Sequence, residues 1–302
     1  MEEWIAYLRN EKGFSPLTIR NYRRDLENFI EFVLERSKAE VFDPRDVESD
    51  DIREWIVHLA DEKHLAPSSV NRALYSIHSY FKYLRERKIV ECDFMAKVGA
   101  LKTSKPLPSY IGASKSEEFV RRVMAMPRDG EFLVRRDRMI LLLFYALGIR
   151  LAELIAVNTD DFEQDFRVLR VRGKGDKQRI IPIVDEIRRE VLYFIEINLR
   201  EKICDSTQKA LFLSHKGERI SRIEVYRVIK RELGGMGIEG KRSPHVLRHT
   251  FATQLMNGGA DLREIQELLG HGSLSATQVY THSSIASLKE IYRSAHPRGG
   301  DK

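Results

Sequence analysis

The stretch from Lys241 to His282 constrains the fold most strongly, because it predicts two helices with buried faces that are separated by a pair of glycines. Ser243 followed by Pro244 is typical of a helix start: a capping hydroxyl precedes a proline whose missing N–H costs nothing at that position. Apolar side chains then recur every four residues, which predicts one buried stripe. That stripe consists of Leu247, Phe251 and Leu255.

Polar residues occupy the ends of these two helices. His245 and Arg248 lie three residues apart near the start of the first helix. Free N–H groups and a partial positive charge at a helix N-terminus favour an anion such as phosphate. The second helix ends at Gly270 and is followed at once by His271, and Tyr280 comes later in the same stretch. Each of these residues alone is more often structural than functional, but the ordered set favours a function.

A metal site is the weaker interpretation of this stretch. Two histidines four residues apart can bind zinc, but the zinc-protease pattern has Glu after the first histidine, whereas Val246 follows His245. Cys92 and Cys204 are far apart in the sequence and form no ligand pair. We therefore predict no metal and no cofactor.

Length and charge narrow the class of protein. A chain of 302 residues predicts about two domains. The 51 Lys and Arg exceed the 45 Asp and Glu by +6, a balance that permits a polyanionic partner without proving one. The apolar run from Met139 to Leu147 is too short to span a bilayer, and acidic residues replace the basic start of a signal peptide. We expect a soluble, cytoplasmic protein with no membrane partner.

The first third of the chain, residues 1–100, predicts a domain of four amphipathic helices without strands. Ser15-Pro16 and Pro67-Ser68 are typical of helix starts. Arg20, Arg24 and Arg72 lie off the apolar stripes and are candidates for DNA contact, although a solvated face explains them equally well. Helical periodicity then stops, and prolines and glycines predict a linker over residues 101–112.

Residues 113–302 predict a second domain that is mainly helical with a small antiparallel sheet. An apolar helix ends at Gly148, and Arg150 follows at the start of the next helix. A guanidinium between two buried helices needs a carboxylate or an anionic ligand, and Glu153 is placed to aim it. Two strands, Val168–Arg172 and Gln178–Ile183, flank a tight turn with Lys174 at its tip.

In chain order these motifs resemble the tyrosine recombinase, or phage-integrase-like, family, and within it the Xer recombinases. The resemblance depends on five short motifs in sequence order. They are Gly148-x-Arg150-x-x-Glu153-Leu154, Gly173-Lys174-Gly175, His245-x-x-Arg248-His249, Leu268-Leu269-Gly270-His271 and Tyr280-Thr281-His282. One departure occurs at residues 92–94, where the Xer recombinases usually have Asn-Pro at the end of the first domain.

The resemblance implies a C-shaped clamp around duplex DNA, built from a helical SAM-like core-binding domain and a catalytic domain. It implies that Tyr280 attacks a DNA phosphodiester and forms a 3′-phosphotyrosyl link. Arg150 and Arg248 would bind nonbridging phosphate oxygens. His245 would take the tyrosine proton.

Two further roles follow from the resemblance. Lys174 would give a proton to the leaving 5′-oxygen, and His271 would hydrogen-bond the phosphate. The implied partners are duplex DNA with two half-sites and three other subunits, identical or related, joined through a C-terminal helix over residues 284–294.

The function implied is site-specific recombination, in the Xer manner of resolving chromosome or plasmid dimers. A mobile-element integrase, a type IB topoisomerase-like enzyme and an inactive DNA-binding regulator are the alternatives. The intact set of six residues argues against the regulator, and the segment His296-Pro297-Arg298, which resembles the Xer tail, argues against the topoisomerase.

Overall fold

The computed structural model describes residues 1–91, 98–103, 110–173, 178–201, 203, 208–238, 240 and 242–270. The chain divides into two compact units, Met1–Lys105 and Pro106–Lys302. Across the described residues the structure is mainly helical and has one small antiparallel sheet, which confirms the predicted fold class. No helix among these residues has the length and apolarity needed to cross a membrane.

The described part of the first unit forms four helices. They are α1 (Glu2–Asn10), α2 (Pro16–Ser37), α3 (Ser49–Val57), which a π-helical turn (His58–Glu62) extends, and α4 (Pro67–Glu86). Proline occupies the first position of α2, and the Ser15 hydroxyl accepts the Thr18 N–H at 3.2 Å. The helices enclose an aromatic core in which Trp4 and Phe29 are fully buried.

The end of the first unit is fastened to α4 by an asparagine. The Asn71 side chain accepts the N–H of Leu101 at 2.8 Å and donates to its carbonyl at 2.9 Å. This one amide satisfies both the N–H and the carbonyl of Leu101, as a neighbouring β-strand would do. Leu101, at the start of the predicted linker, therefore packs with the first core.

The second unit is built around one helix, α6, which runs through its centre. Over its described residues, the helices are α5 (Ala113–Ala125), α6 (Phe132–Leu147), α7 (Leu151–Ala156), α8 (Asp185–Arg200), α9 (Arg222–Gly235), α10 (Pro244–Asn257) and α11 (Leu262–Leu269). All residues of α6 from Arg135 to Leu147 are buried. Each buried arginine near its start donates at least one hydrogen bond to another element; Arg138, for example, donates to Glu190 at 2.7 Å.

The sheet has three strands, one more than the sequence predicts. β2 (Val168–Arg172) and β3 (Gln178–Pro182) pair antiparallel with Leu169 opposite Ile181, and β1 (Phe162–Glu163) pairs with β2 on the other side. A strand of two residues is too short to display an alternating pattern, so β1 has no sequence signal.

The start of α10 differs in one detail from the sequence prediction. Ser243 is the residue before the helix, but its hydroxyl makes no capping hydrogen bond. Its backbone carbonyl accepts the Val246 N–H at 3.0 Å, and Pro244 has no N–H to satisfy. The prediction of a capping hydroxyl is therefore wrong, whereas the buried stripe of Leu247, Phe251 and Leu255 is confirmed.

The beginning of the second unit is fastened to α10. Ile111 is buried, and its N–H donates to the Thr250 hydroxyl at 2.8 Å. That hydroxyl in turn donates to the Val246 carbonyl at 2.8 Å. The chain thus enters the second unit through a residue that is bonded to α10.

Candidate active site

Arg150 lies where α6 gives way to α7. Gly148 ends α6 in the left-handed conformation, with φ of 55°, and Arg150 precedes the first residue of α7. The Arg150 N–H donates to Glu153 Oε2 at 2.7 Å, and its Nη1 donates to Glu153 Oε1 at 2.8 Å. The Arg150 side chain keeps 34% of its surface exposed, so part of the guanidinium faces solvent.

Glu153 is a buried carboxylate at the centre of this arrangement. Its Oε1 also accepts from Arg179 Nη1, and its Oε2 accepts from Arg179 Nη2 at 2.8 Å. Burial is the largest single effect and raises its pKa, but Arg179 and Arg150 together outweigh burial and hold the pKa of Glu153 at about 2. Glu153 is therefore ionised at neutral pH.

Arg179, on β3, is a member of the site that the sequence analysis missed. It is buried, and its Nε donates to the Leu268 carbonyl at 2.9 Å. The available signal was its strand position, because Arg179 shares the buried face of β3 with Ile181. An arginine on the inward side of a strand needs a buried acidic or carbonyl partner.

Arg248 approaches from α10 and is almost completely buried. Its Nη1 donates to the Gly148 carbonyl at 2.6 Å, and its Nη2 donates to the Leu269 carbonyl. Burial, followed by the positive charges of Arg150 and Arg179, lowers the pKa of Arg248 to about 9. The guanidinium stays charged at neutral pH, and an added anion would stabilise this charged form.

Arg150 binds the turn at the end of α11 that also binds Arg248. Arg150 Nη2 donates to the Gly270 carbonyl at 2.9 Å, next to the Leu269 carbonyl that binds Arg248. Arg150, Arg179 and Arg248 therefore meet around a single carboxylate, Glu153. Three positive charges and one negative charge leave an excess that favours an anionic ligand.

His245 lies in the first turn of α10, one turn before Arg248. Partial burial of the imidazole, and then the charges of His249, Arg248 and Arg150, lower the pKa of His245 below its ordinary value. The neutral form, which can accept a proton, is therefore favoured near neutral pH.

Four of the predicted site residues thus lie in the described region, namely Arg150, Glu153, His245 and Arg248. Hydrogen bonds join Arg150 to Glu153 and join both Arg150 and Arg248 to the end of α11. The predicted residues Lys174, His271 and Tyr280 lie outside the described residues, as does the predicted C-terminal helix. Among the described residues, no group of three His, Cys, Asp or Glu is arranged to bind a metal ion.

The three arginines that we considered for DNA contact have different surroundings in the first unit. Arg20 and Arg24 are exposed on α2. Arg72 donates from Nη2 to Asp25 Oδ1 at 2.9 Å, and the same buried carboxylate accepts the Ser76 hydroxyl at 2.7 Å. Arg72 therefore compensates a buried charge, although its side chain remains 39% exposed.

Comparison with known families covers most of the chain. The phage integrase family matches residues 116–286, and the N-terminal SAM-like domain of phage integrases matches residues 1–88. The tyrosine recombinase XerC of Myxococcus xanthus is 37% identical over 99% of this chain and 97% of its own length. The tyrosine recombinase XerD of Lacticaseibacillus casei is 33% identical over 98% of each chain.

Solved structures have the same fold. A XerH site-specific recombinase bound to a palindromic difH substrate, in a post-cleavage complex, aligns with a TM-score of 0.70 and 22% identity over 91% of this chain and 78% of that chain. A lambda integrase dimer bound to a COC′ core site aligns with a TM-score of 0.65 and 18% identity over 92% of this chain and 96% of that chain. The resemblance predicted from the ordered motifs is confirmed, and this chain belongs to the phage integrase family of tyrosine recombinases.

Proposed function

We propose that this protein is a site-specific recombinase that cuts and rejoins duplex DNA through a covalent tyrosine intermediate. The observation that carries the proposal is the meeting of Arg150 and Arg248 at the end of α11, with an excess of positive charge around one buried carboxylate. A DNA phosphodiester is an anion that such a site favours. Full-length similarity to recombinases named XerC and XerD supports the same function.

The reaction that we propose is a phosphoryl transfer in two steps. The Tyr280 hydroxyl attacks the phosphorus, the bond to the 5′-oxygen breaks, and a 3′-phosphotyrosyl link forms. The tyrosine proton passes to His245, and Lys174 supplies a proton to the leaving 5′-oxygen. The 5′-hydroxyl of another strand then attacks the phosphotyrosine and releases Tyr280, so no external energy source is needed.

Arg150 and Arg248 stabilise the charge that develops on the phosphate during both steps. Their donors are fixed before DNA arrives, because backbone carbonyls at Gly148, Leu269 and Gly270 already hold them. Preorganised donors of this kind need no rearrangement during the reaction. Glu153 holds the Arg150 guanidinium through its Oε1.

Duplex DNA with two half-sites is the partner that we propose, and the exposed Arg20 and Arg24 of α2 are suited to its backbone phosphates. Arg72 combines this role with its bond to Asp25. By analogy with the Xer recombinases we propose a cytoplasmic tetramer, of identical or paired subunits, that resolves chromosome or plasmid dimers.

The alternative functions differ in what they do to DNA. A mobile-element integrase exchanges strands between unlike sites, a type IB topoisomerase-like enzyme reseals without exchanging partners, and a DNA-binding regulator makes no covalent link. No feature of the described residues favours one of these over a Xer-type recombinase.

A nicked suicide substrate tests the proposal, because loss of a short fragment after cleavage prevents resealing and traps the covalent complex. Sites are first selected from genomic DNA as two half-sites around a short spacer. We expect a covalent protein–DNA adduct and, with two full sites on one plasmid, recombinant products. Binding without an adduct would indicate a regulator, and an adduct without recombinants would indicate a topoisomerase-like enzyme. Recombination only between unlike sites would indicate an integrase.

A further inference from the structure

Arg179 joins three elements of the second unit at the candidate site. It extends from β3, binds both oxygens of Glu153 on α7, and donates through Nε to the Leu268 carbonyl at the end of α11. The turn at Gly270 packs on its aliphatic part, since a Cβ at that glycine would lie 3.2 Å from Arg179 Cδ. One side chain therefore contacts both the carboxylate that holds Arg150 and the turn that binds Arg150 and Arg248.

The pattern of bonds at Glu153 limits what Arg150 can do. The Arg179 fork occupies one direction at each carboxylate oxygen, and the Arg150 N–H occupies a second direction at Oε2. Arg150 is left with a single side-chain bond to Glu153, from Nη1 to Oε1. Without Arg179, the carboxylate would be free to turn and form a two-bond pair with Arg150, the arrangement that these groups prefer. Such a pair would draw the Arg150 guanidinium away from a phosphate.

We propose that Arg179 is a positioning residue for the phosphate site. It occupies both oxygens of Glu153, so that Arg150 remains turned towards its ligand, and it fixes the end of α11 where the carbonyls of Leu269 and Gly270 hold Arg248 and Arg150. This role rests on the proposed function of the same site. It requires the planar fork of an arginine, because a lysine supplies the charge but not two parallel donors and a third donor at Nε.

A simpler role for Arg179 would be that of counter-ion to the buried Glu153. Arg150 already supplies a positive charge to that carboxylate, at 2.8 Å, so neutralisation alone does not require a second arginine. The two roles make different predictions for a lysine at position 179. A counter-ion role is preserved by lysine, whereas a positioning role is lost.

The experiment compares Arg179→Lys with Arg170→Lys in the full-length protein. Arg170 is a matched control, because it lies on the neighbouring strand β2 and pairs with Glu163 at the surface, where its side chain is 41% exposed. Single-turnover cleavage of the suicide substrate is measured at saturating DNA, and DNA affinity is measured separately. We expect Arg179→Lys to cleave at least about 10-fold more slowly, because small misplacements of catalytic groups are costly. The Kd for DNA should change by less than about 3-fold, since phosphate contacts elsewhere along the duplex supply most of the affinity.

A double-mutant cycle tests whether Arg179 acts through Arg150. Adding Arg179→Lys to Arg150→Ala should slow cleavage further by a smaller factor than Arg179→Lys does alone, because one of the two groups that Arg179 positions is already absent. Multiplicative losses would overturn the proposal. Wild-type cleavage in Arg179→Lys would also overturn it, because charge alone would then suffice. Melting temperatures within a few degrees of wild type show that the lysine variant is folded.

Failure of the proposed function gives a different result. If the wild-type protein forms no adduct on any selected DNA site, the recombinase proposal is wrong, and inorganic phosphate replaces DNA as the probe. We expect phosphate to raise the melting temperature of the wild type and of Arg170→Lys, but to raise that of Arg179→Lys by less than half as much. An equal rise in all three proteins, or no rise in any, would overturn the positioning role.

Discussion

Backbone carbonyls hold both arginines that we assign to the phosphate. Arg248 donates to Gly148 and Leu269, and Arg150 donates to Gly270. Each carbonyl belongs to the last turn of a helix or to the residue that ends it, where carbonyls lack helical partners. The carbonyls at the helix ends thus gain hydrogen-bond donors, and the guanidinium groups are held in fixed orientations. Removal of either arginine should therefore affect more than the charge of the site.

Replacing Arg150 or Arg248 by alanine should slow cleavage of the suicide substrate by on the order of 10²-fold or more, as loss of one preorganised donor does in other enzymes. Arg167→Ala is the control, because Arg167 pairs with Asp185 at the surface, where their side chains are 47% and 45% exposed. Single-turnover rates at saturating DNA measure the effect. A rate within a few-fold of wild type would assign that arginine a structural role.

The proposed nucleophile predicts a separation of binding from chemistry. Tyr280→Phe should bind DNA as the wild type does and form no covalent adduct, because only the attacking hydroxyl is removed. Denaturing gels of the suicide-substrate reaction detect the adduct, and gel shifts report binding. An adduct of normal yield in this variant would exclude Tyr280 as the nucleophile.

His245 predicts a pH dependence. Partial burial and neighbouring positive charges lower the pKa of His245, so its neutral form persists to pH values below the ordinary histidine pKa of about 6.5. A proton acceptor loses activity as it becomes charged; cleavage should therefore decline on the acid side with a midpoint below that value. Rates at subsaturating DNA are the suitable measurement, since they report the free enzyme. His245→Gln should remove this dependence, and a midpoint above 6.5 would contradict the expectation.

Sequence patterns predicted the site residues that occupy helix ends but not the one in the sheet. Arg150 and Arg248 are recognisable because each lies within a few residues of a helix start or stop signal. Arg179 lies in an ordinary-looking strand, and its buried partner Glu153 is 26 positions away, so only the tertiary fold reveals their pairing. Three residues of the predicted set lie outside the described region, and the catalytic roles of the whole set remain predictions.

At the scale of elements, the junction between α6 and α7 is the tightest point near the site. Gly148 adopts a positive φ, and a Cβ there would lie 2.3 Å from the Phe251 ring of α10. Glycine therefore permits both the left-handed turn and the contact between the two helices. The carbonyl that binds Arg248 belongs to this same residue.

Gly148→Ala should be less stable than Gly217→Ala. Both glycines have positive φ, so both substitutions cost roughly 1–2 kcal/mol of backbone strain, but no atom lies within 4 Å of a Cβ at Gly217. The overlap with Phe251 should add about 1–3 kcal/mol at Gly148, as overpacking does in other cores. Urea unfolding of the two variants measures the difference. Equal losses of stability would show that α10 moves aside without cost.

Helices were predicted more completely than strands, for a physical reason. Pro16, Pro67 and Pro244 each occupy the first helical position, a local preference that needs no distant partner. The strand Phe162–Glu163 is defined only by its pairing with β2, and no local pattern predicts such a pairing. The capping role of Ser243 failed because a suitable residue type does not fix a side-chain direction.

At the scale of the whole molecule, each unit has its own buried core. Separate cores are expected when two parts of a chain fold as domains. Contacts between the subunits of the proposed tetramer would then use residues that neither core buries. The sequence offers one candidate, the stripe of Ile285, Leu288, Ile291 and Tyr292 at helical spacing.

Deleting residues 284–302 should abolish cooperative filling of two half-sites while leaving binding to a single half-site unchanged. The physical reason is that the amphipathic helix that the sequence predicts over residues 284–294 would have to bury its apolar face, which the resemblance assigns to a neighbouring subunit. Gel shifts with one and with two half-sites give the cooperativity directly. If the shortened protein fills both half-sites as cooperatively as the full chain, the helix folds back on its own unit.

The two fastenings at Leu101 and Ile111 have a practical meaning for protein engineering. Asn71 keeps Leu101 with the first unit, and Thr250 keeps Ile111 with the second, so each fastening lies wholly within one unit. A chimera that takes its DNA-recognition half from one relative and its chemistry from another should be spliced between these two residues. Splicing there keeps each hydrogen-bonded pair, Asn71 with Leu101 and Thr250 with Ile111, within one parent. A splice before Leu101 would combine Asn71 and Leu101 from different parents, and a splice after Ile111 would do the same to Ile111 and Thr250.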